Sequence, residues 1–226
     1  SGRVRGIAIL NDKVFAWRDN VDATAMVIHK ATPTGWEAVT MLHQVSFTAG
    51  GTSEYLDGEA LTQGGVSATV KRVVLESGTW AAGTAAGRLI ITAPSGGVFS
   101  AGAAGGGGPC TLSGASALIA LAPGGRVRTH AYTFTARQED KRLYGCDGAN
   151  PEFEFDGTVF VQINTGMPTD APDDLCEFVG HLCFAFNGSF QNSSLGDPYT
   201  WVPFLGASEI GLADPITGFK VMPGSD

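Results

Sequence analysis

Short runs of strand-forming residues, separated by turn-forming pairs, dominate this chain of 226 residues. The runs are rich in Val, Ile, Phe and Thr. Asn-Asp, Asp-Gly, Asn-Gly or Gly-Gly pairs bound most of them, and these pairs tolerate the positive φ of hairpin turns. The predicted strands are residues 4–10, 13–18, 25–30, 68–75, 88–92, 126–136, 142–146, 152–155, 159–163, 175–179 and 182–187. Repeated short strands at close spacing predict an all-β fold, as a sandwich, a barrel or a propeller.

Helical periodicity is nearly absent. The only helix-like segments are residues 81–86 and 113–121, and glycine interrupts or flanks both. The chain holds 32 glycines but only 11 prolines. Glycine is therefore about twice as common as its usual share of ~7%, which indicates many tight turns rather than disorder.

An internal repeat narrows the choice of architecture. In three places a strand, a polar turn and a second strand lead to an aromatic residue: residues 13–37, 142–161 and 181–202. Leu143 and Leu182 are 39 residues apart, and Phe160 and Trp201 are 41 apart. A period of about 40 residues with one aromatic per unit is typical of a four-stranded propeller blade. An irregular sandwich that meets the same pattern by chance is the alternative.

Four aromatic residues are predicted to pack between blades: Trp17, Trp36, Phe160 and Trp201. A tight turn precedes the last of them. Gly196 permits the turn, Asp197 can accept a hydrogen bond from the backbone two residues on, and Pro198 fixes φ. Trp201 would then supply a large apolar anchor.

An insertion explains why the repeat is interrupted. Val14 and Leu143 lie 129 residues apart, far more than one period, and the sequence between them is rich in Gly, Ala, Thr and Ser. We predict propeller-like strands in residues 1–44 and propeller-like blades in residues 126–226. Residues 45–125 would form an inserted small β-barrel or sandwich, since surface loops tolerate insertions.

Charge is placed unevenly along the chain. The formal net charge is −8, and residues 126–226 carry all of it; from Asp147 onward the only base is Lys220. Such a surface repels nucleic acid, but it could line a path that DNA crosses without sticking. No apolar stretch is long enough for a membrane helix, so no membrane span is expected. The chain lacks an initiator Met, and we expect a fragment of a longer protein.

Residue patterns that carry chemistry are mostly missing, so we predict no enzyme and no catalytic, cofactor-binding or metal site. The four cysteines form no CxxC pair and are expected to be small buried residues. The glycine run 101–108 lacks the Gly-Lys-Ser/Thr of a phosphate loop. Glu152, Glu154 and Asp156 alternate on one strand face, where we expect solvated carboxylates; a cation site or a glycosidase pair is the alternative.

Residues 142–226 resemble a family of bacteriophage virion proteins. The stretch from Arg142 to Phe160, with its Glu-Phe-Glu-Phe-Asp-Gly-Thr core, is similar to the repeated unit of phage tail nozzle and tail-tube-like proteins. The segment Ser194–Trp201, Ser-Leu-Gly-Asp-Pro-Tyr-Thr-Trp, resembles a recurrent step of the same proteins.

The resemblance implies a structural role in the virion tail and no catalytic residues. Its propeller subunits would form a homo-oligomeric ring below the portal, beside adjacent tail or portal/adaptor proteins, and would gate the genome during ejection without binding DNA specifically. A carbohydrate- or receptor-binding propeller is the second interpretation, with Tyr199, Trp201 and Phe204 lining a sugar site; a glycosidase is the third.

Overall fold

The prediction of an all-β fold is confirmed by a computed structural model, which describes residues 2–135, 137–167 and 171–222. The chain divides into two compact units. One unit joins Ser1–Thr40 to Ala120–Asp226, and the other is Met41–Ile119. The second unit is therefore inserted in the sequence of the first, a few residues earlier at each end than the predicted range 45–125.

The first sheet is a four-stranded antiparallel meander at the start of the chain. Its strands, in chain and spatial order, are β1 (Val4–Leu10), β2 (Lys13–Asp19), β3 (Met26–Thr32) and β4 (Gly35–Ala38). Asn11 and Asp12 link β1 to β2 with φ of 48° and 60°. Both central residues of this two-residue turn thus have positive φ, a conformation that Asn and Asp tolerate.

The inserted unit is a closed barrel of six antiparallel strands with one extra short strand. The strands are β5 (His43–Gly50), β6 (Ala60–Gln63), β7 (Val66–Ser77), β8 (Ala86–Ile91), β9 (Gly102–Gly106), β10 (Cys110–Leu112) and β11 (Ala117–Leu118). Hydrogen bonding runs in the order β5–β8–β7–β6–β9–β10, and the pairing of β10 with β5 closes the barrel. Strand β11 adds to β5 beyond that closure.

Two further four-stranded meanders complete the first unit. The second sheet contains β12 (Arg128–Tyr132), β13 (Arg142–Cys146), β14 (Phe153–Phe155) and β15 (Phe160–Gln162). The third sheet contains β16 (Asp174–Phe178), β17 (His181–Phe186), β18 (Ser189–Asn192) and β19 (Ser208–Gly211). Short 3-10 helices lie at Gln138–Asp140 and Pro203–Leu205.

Neither helix-like segment of the sequence forms a helix. Residues 81–86 make a turn that enters β8, and residues 113–121 are irregular apart from the two-residue strand β11 and the isolated bridge at Leu121. Glycine explains the first case, because Gly83 has φ of 66° and breaks any helix there. Among the described residues, no helix is long and apolar enough to cross a membrane.

Each unit has an aromatic core. In the barrel, Trp80 stacks on Phe47 with ring centroids 5.2 Å apart, and the Tyr55 hydroxyl donates to the Gly105 carbonyl at 2.9 Å. In the other unit, the second and third sheets share a cluster of buried residues: Tyr144, Cys146, Ile163, Leu175, Leu182, Phe184 and Phe186. Apolar surface removed from water in these clusters is the main stabilising contribution to each unit.

Candidate assembly interface

Aromatic side chains join the first sheet to the second. Trp17, fully buried in β2, lies 5.7 Å from Phe153 and 6.1 Å from Phe155, measured between ring centroids. Phe15, two residues earlier on the same face, meets Phe155 edge-to-face at 5.1 Å. Because side chains alternate along a strand, Phe15 and Trp17 share the face of the first sheet that packs on the second sheet, here called its inner face.

Phe160 is also buried in this contact region. It begins β15 and stacks on Phe153 with centroids 4.9 Å apart. Phe160 therefore adds a further ring, from β15, to the aromatic layer that lies between the first and second sheets. The structure thus brings Trp17 and Phe160 of the predicted packing residues to one layer.

Trp201 lies in the contact between the second and third sheets, and it is half-buried. Its ring stacks on Phe184 at 5.7 Å, and its indole N–H donates to the Pro198 carbonyl at 3.0 Å. In the turn before it, Gly196 has φ of 72°, and Asp197 Oδ1 accepts from the Tyr199 N–H at 2.8 Å. The backbone is thus held in the orientation that presents Trp201 to Phe184.

The prediction that Trp36 packs between blades is wrong within this unit, because its side chain is 55% exposed. It lies in β4, whose four residues are all exposed. Strand β4 is the edge of the first sheet, and the register pairs Trp36 with Ala31 on the face opposite Trp17. Alternation predicted a face for this residue but could not reveal that the face is uncovered.

That opposite, outer face of the first sheet is apolar and exposed. Val4, Ile7 and Ile9 are 52%, 65% and 65% exposed. Ile7 pairs with Ala16, and Ala16 pairs with His29, so the residues of three strands form one surface. A recess of about 150 Å³ lies in it, lined by Val4, Ile7, Ala16, Arg18, His29 and Trp36. Isolated exposed apolar residues are ordinary, but exposed apolar residues grouped on one face make it a candidate interaction surface.

The third sheet also has an outer face with apolar residues. Phe178 and Ile210 are 41% and 53% exposed there. The residues 219–222 cover part of this face, because Phe219 packs edge-to-face on Phe190 at 5.7 Å and its N–H donates to Asp174 Oδ2 at 2.8 Å. A recess of about 290 Å³ remains beneath that segment.

Two of the three alternating carboxylates are buried, which corrects the expectation of a solvated face. Glu152 and Glu154 are each 3% exposed. Glu154 accepts a hydrogen bond from the Tyr199 hydroxyl, and its Oε1 lies 3.5 Å from Arg142 Nε. Asp156 instead caps its own turn, since Oδ1 accepts from the N–H groups of Thr158 and Val159 at 2.7 Å.

Burial also changes the acidity of Glu152. Removal of its carboxyl group from water raises the pKa to about 7, although a hydrogen bond from Thr165 opposes the shift. One carboxyl oxygen, Oε1, has no hydrogen-bond partner among the described residues. A hydrolytic pair needs an open cleft for sugar and water. The burial of Glu152 and Glu154 therefore gives no support to a glycosidase.

The aromatic sugar site considered from the sequence is not assembled either. Trp201 and Tyr199 are turned inward, on Phe184 and Glu154 respectively, while Phe204 is 94% exposed. All four cysteines are free, and three of them are buried as predicted. In the part of the chain that the structure describes, no group of three or more His, Cys, Asp or Glu residues could hold a metal ion.

Comparisons with protein-family models, with curated proteins and with solved structures found no match for this chain. The geometry of the sheets and the resemblance in the sequence are therefore the basis for a functional proposal. The surface that sequence reasoning missed is the outer face of the first sheet. Its signal was present, since Ile7 and Ile9 alternate with the inward Ala8 and Leu10.

Proposed function

We propose that this chain is a structural component of a bacteriophage virion, a ring-forming tail nozzle or neck protein that lines or gates the DNA exit channel. One observation carries the proposal. Three four-stranded antiparallel meanders lie in one unit, with aromatic contacts between successive sheets, and the outer face of the first sheet is apolar and open.

A propeller is the architecture that this pattern favours. A propeller blade is a four-stranded antiparallel sheet, and blades pack side by side around a channel through their faces. The first sheet packs on the second through Trp17 and Phe153, and the third packs on the second in the cluster that holds Phe184 and Trp201. Three such sheets leave two end faces, and a closed ring of sheets would leave none.

We propose a second copy of this chain as the occupant of the open face. The outer face of the first sheet in one copy would meet the outer face of the third sheet in the next, continuing the mode of contact found twice within the unit. Charge favours this pairing, since residues 2–40 carry five basic and four acidic residues while residues 171–222 carry one basic and six acidic residues. A head-to-tail contact of this kind forms a ring when its rotation closes.

The acidic second half suits a channel for DNA. Between residues 147 and 222 only Lys220 is basic. A surface with so few cations offers little to the phosphate backbone, so DNA would pass without being held. Neighbouring tail or portal/adaptor proteins would contact the ring, and the virion tail would be its location.

Association of purified chain in solution tests the proposal. Sedimentation velocity over a range of concentrations should show one discrete assembly above the monomer. Ile7→Asp places a charge on the open face and should abolish that assembly, and Trp36→Glu on the edge strand should weaken it. Val21→Asp is the matched control, because Val21 is 75% exposed but lies in the turn after β2.

Two outcomes would contradict the proposal. The wild-type chain could stay monomeric at every concentration. Alternatively, Ile7→Asp and Val21→Asp could behave alike, which would place the contact elsewhere. Far-ultraviolet circular dichroism of each variant separates loss of assembly from loss of folding.

A further inference from the structure

Two cysteines face each other across neighbouring strands of the third sheet. The antiparallel register of β16 and β17 pairs Cys176 with Cys183, between the pairs Leu175–Phe184 and Glu177–Leu182. Because side chains alternate, both thiols lie on the outer face, while Leu175 and Leu182 point into the core shared with the second sheet. The two thiols are thus neighbours by backbone geometry.

The spacing of such a pair suits a disulfide. Residues directly opposite each other in an antiparallel pair have Cα atoms about 4.5–5.5 Å apart. Disulfides usually join Cα atoms separated by about 4.4–6.8 Å. The interaction of the two thiols lowers the pKa of Cys176 and, together with burial, raises the pKa of Cys183. The Cys183 thiol donates to the His181 carbonyl at 3.8 Å. The carboxylates of Asp174 and Glu177 oppose the lowering at Cys176.

Only one of the two sulfurs is open to a reagent. Cys176 is partly exposed, whereas Cys183 is 2% exposed. Both line the recess of about 290 Å³ on the outer face of the third sheet, together with Phe178 and Phe190. A small molecule that enters this recess therefore meets Cys176 first and finds Cys183 beside it.

The other two cysteines have no such neighbour. Cys110 lies in the barrel strand β10, where the register pairs it with Gly50 and Ala104. Cys146 ends β13 opposite Arg128 and is fully buried. Burial raises the pKa of the Cys110 thiol to about 11, and it raises that of Cys146 as well. They serve as internal controls for reactivity.

We propose that Cys176 and Cys183 are a modification site at which a low-molecular-weight disulfide, such as oxidised glutathione, forms a reversible cross-strand disulfide. The Cys176 thiolate attacks one sulfur of the small disulfide, whose S–S bond breaks and releases one thiolate. Cys183 then loses its proton and attacks the Cys176 sulfur, which releases the second thiolate. Two protein thiols are oxidised, and one small disulfide is reduced to two thiols.

The pair thereby ties β16 to β17 across the short connection at Val179 and Gly180. Both residues have positive φ, of 49° and 76°. This turn fixes the two strands in register and keeps Cys176 opposite Cys183. The inference does not depend on the proposed virion role, because the register alone carries it. In the proposed ring the next copy would cover Cys176, so the inference concerns the unassembled chain.

The test is exposure of the folded full-length chain, at a concentration where it is monomeric, to oxidised glutathione, followed by rapid alkylation in denaturant, which opens all four thiols, and intact-mass measurement. The wild-type chain should lose two of its four alkylatable thiols and two hydrogen atoms of mass, and peptide mapping should join Cys176 to Cys183. Dithiothreitol should restore all four thiols. Cys110→Ser and Cys146→Ser should still form the bond.

The two partner variants give opposite signatures. Cys183→Ser should stop at the mixed disulfide and keep one glutathione adduct, because the resolving thiol is missing. Cys176→Ser should show neither adduct nor bond, because Cys183 is buried. Retention of four thiols by the folded wild-type chain would overturn the proposal. So would a bond that maps to Cys110 or Cys146, or a Cys183→Ser variant without an adduct.

Discussion

The barrel and the three-sheet unit use strands in opposite ways. The barrel closes on itself when β10 pairs with β5, and its aromatic residues Phe47, Tyr55 and Trp80 are all buried inside it. In the three-sheet unit, aromatic residues fill the spaces between sheets, but the outer face of the first sheet leaves Ile7 and Trp36 more than half exposed. One unit encloses its own core, and the other leaves apolar surface exposed.

The two units differ in their glycine and aromatic residues because they enclose their cores in different ways. The barrel draws its strands together where glycines allow backbones to approach: a Cβ on Gly106 would lie 1.7 Å from the Ala60 carbonyl oxygen. The stacked sheets instead need large side chains to fill the gap between faces, as Trp17 and Phe153 do. A closed barrel has no free sheet edge at which a further strand could pair. A stack of sheets, in contrast, leaves an outer face on which a further sheet can pack.

The largest expected effect tests whether the two cores are separate. Trp17→Ala should lower the free energy of unfolding of the three-sheet unit by about 3–5 kcal/mol, because it removes a fully buried indole. Trp80→Ala should do the same within the barrel. Hydrogen–deuterium exchange should rise most in the unit that carries the substitution. Equal increases in both units for both variants would contradict the comparison.

The next effect is a dependence of stability on pH that belongs to the three-sheet unit. Glu152 has a pKa of about 7 when folded, above its ordinary value of 4.5. Between these values the folded chain holds a proton that the unfolded chain releases, so stability should fall as pH rises, by about 3 kcal/mol in all. Glu152→Gln should remove this fall.

Urea denaturation at a series of pH values measures the fall in stability that is assigned to Glu152. Glu209→Gln is the control, because Glu209 lies on the exposed strand β19. Asp19 affects stability at lower pH. Its hydrogen bond with Arg5 holds the pKa of the Asp19 carboxyl below its ordinary value. The stability that this ion pair contributes is therefore lost only in stronger acid. Parallel profiles for the wild-type chain and Glu152→Gln from pH 4.5 to pH 7 would refute the assignment.

A smaller effect concerns the close approach that lets the barrel close. Gly106→Ala should destabilise the barrel by about 1–3 kcal/mol, since the added methyl group meets the Ala60 carbonyl and Gly106 has φ of 122°. Its neighbour Gly105 is the matched control, because the nearest atom to an added Cβ, Thr62 Oγ1, lies 3.6 Å away. Thermal melts that rank the two variants equally would show that the backbone contact is unimportant.

The smallest effect is at the turn before Trp201. Asp197→Ala removes the bond from the Tyr199 N–H and the one from the Thr200 hydroxyl, which is 2.6 Å long. The loss should be about 1 kcal/mol, the usual contribution of such bonds at a partly exposed site. Asp197→Asn, which keeps an acceptor oxygen, should recover part of the stability. Equal stability of the two variants would show that the acceptor oxygen of residue 197 does not stabilise the turn.

The sequence was most informative where short-range rules decide the structure. Alternation and turn pairs predicted β1 and β13 with the bounds that the structure has, Val4–Leu10 and Arg142–Cys146. The turn at Asp197 also follows from local chemistry, because its hydrogen bond spans only two residues.

Features that depend on distant partners could not be predicted. Closure of the barrel joins Gly50 to Cys110, which are sixty residues apart, and no local pattern encodes that pairing. Glu154 alternates with phenylalanines as a solvated carboxylate would, yet Tyr199 covers it. Likewise, alternation assigns Trp36 to a face, but only the neighbouring sheets decide which face is buried.

Electron microscopy of the assembled chain tests the central claim most directly. If the outer face of the first sheet is covered by the third sheet of another copy, class averages should show closed rings of one rotational order around an open channel. Ile7→Asp should yield no such particles. Two results from the wild-type chain would contradict the proposed ring. One is isolated particles of monomer size, and the other is open filaments at concentrations where the chain associates.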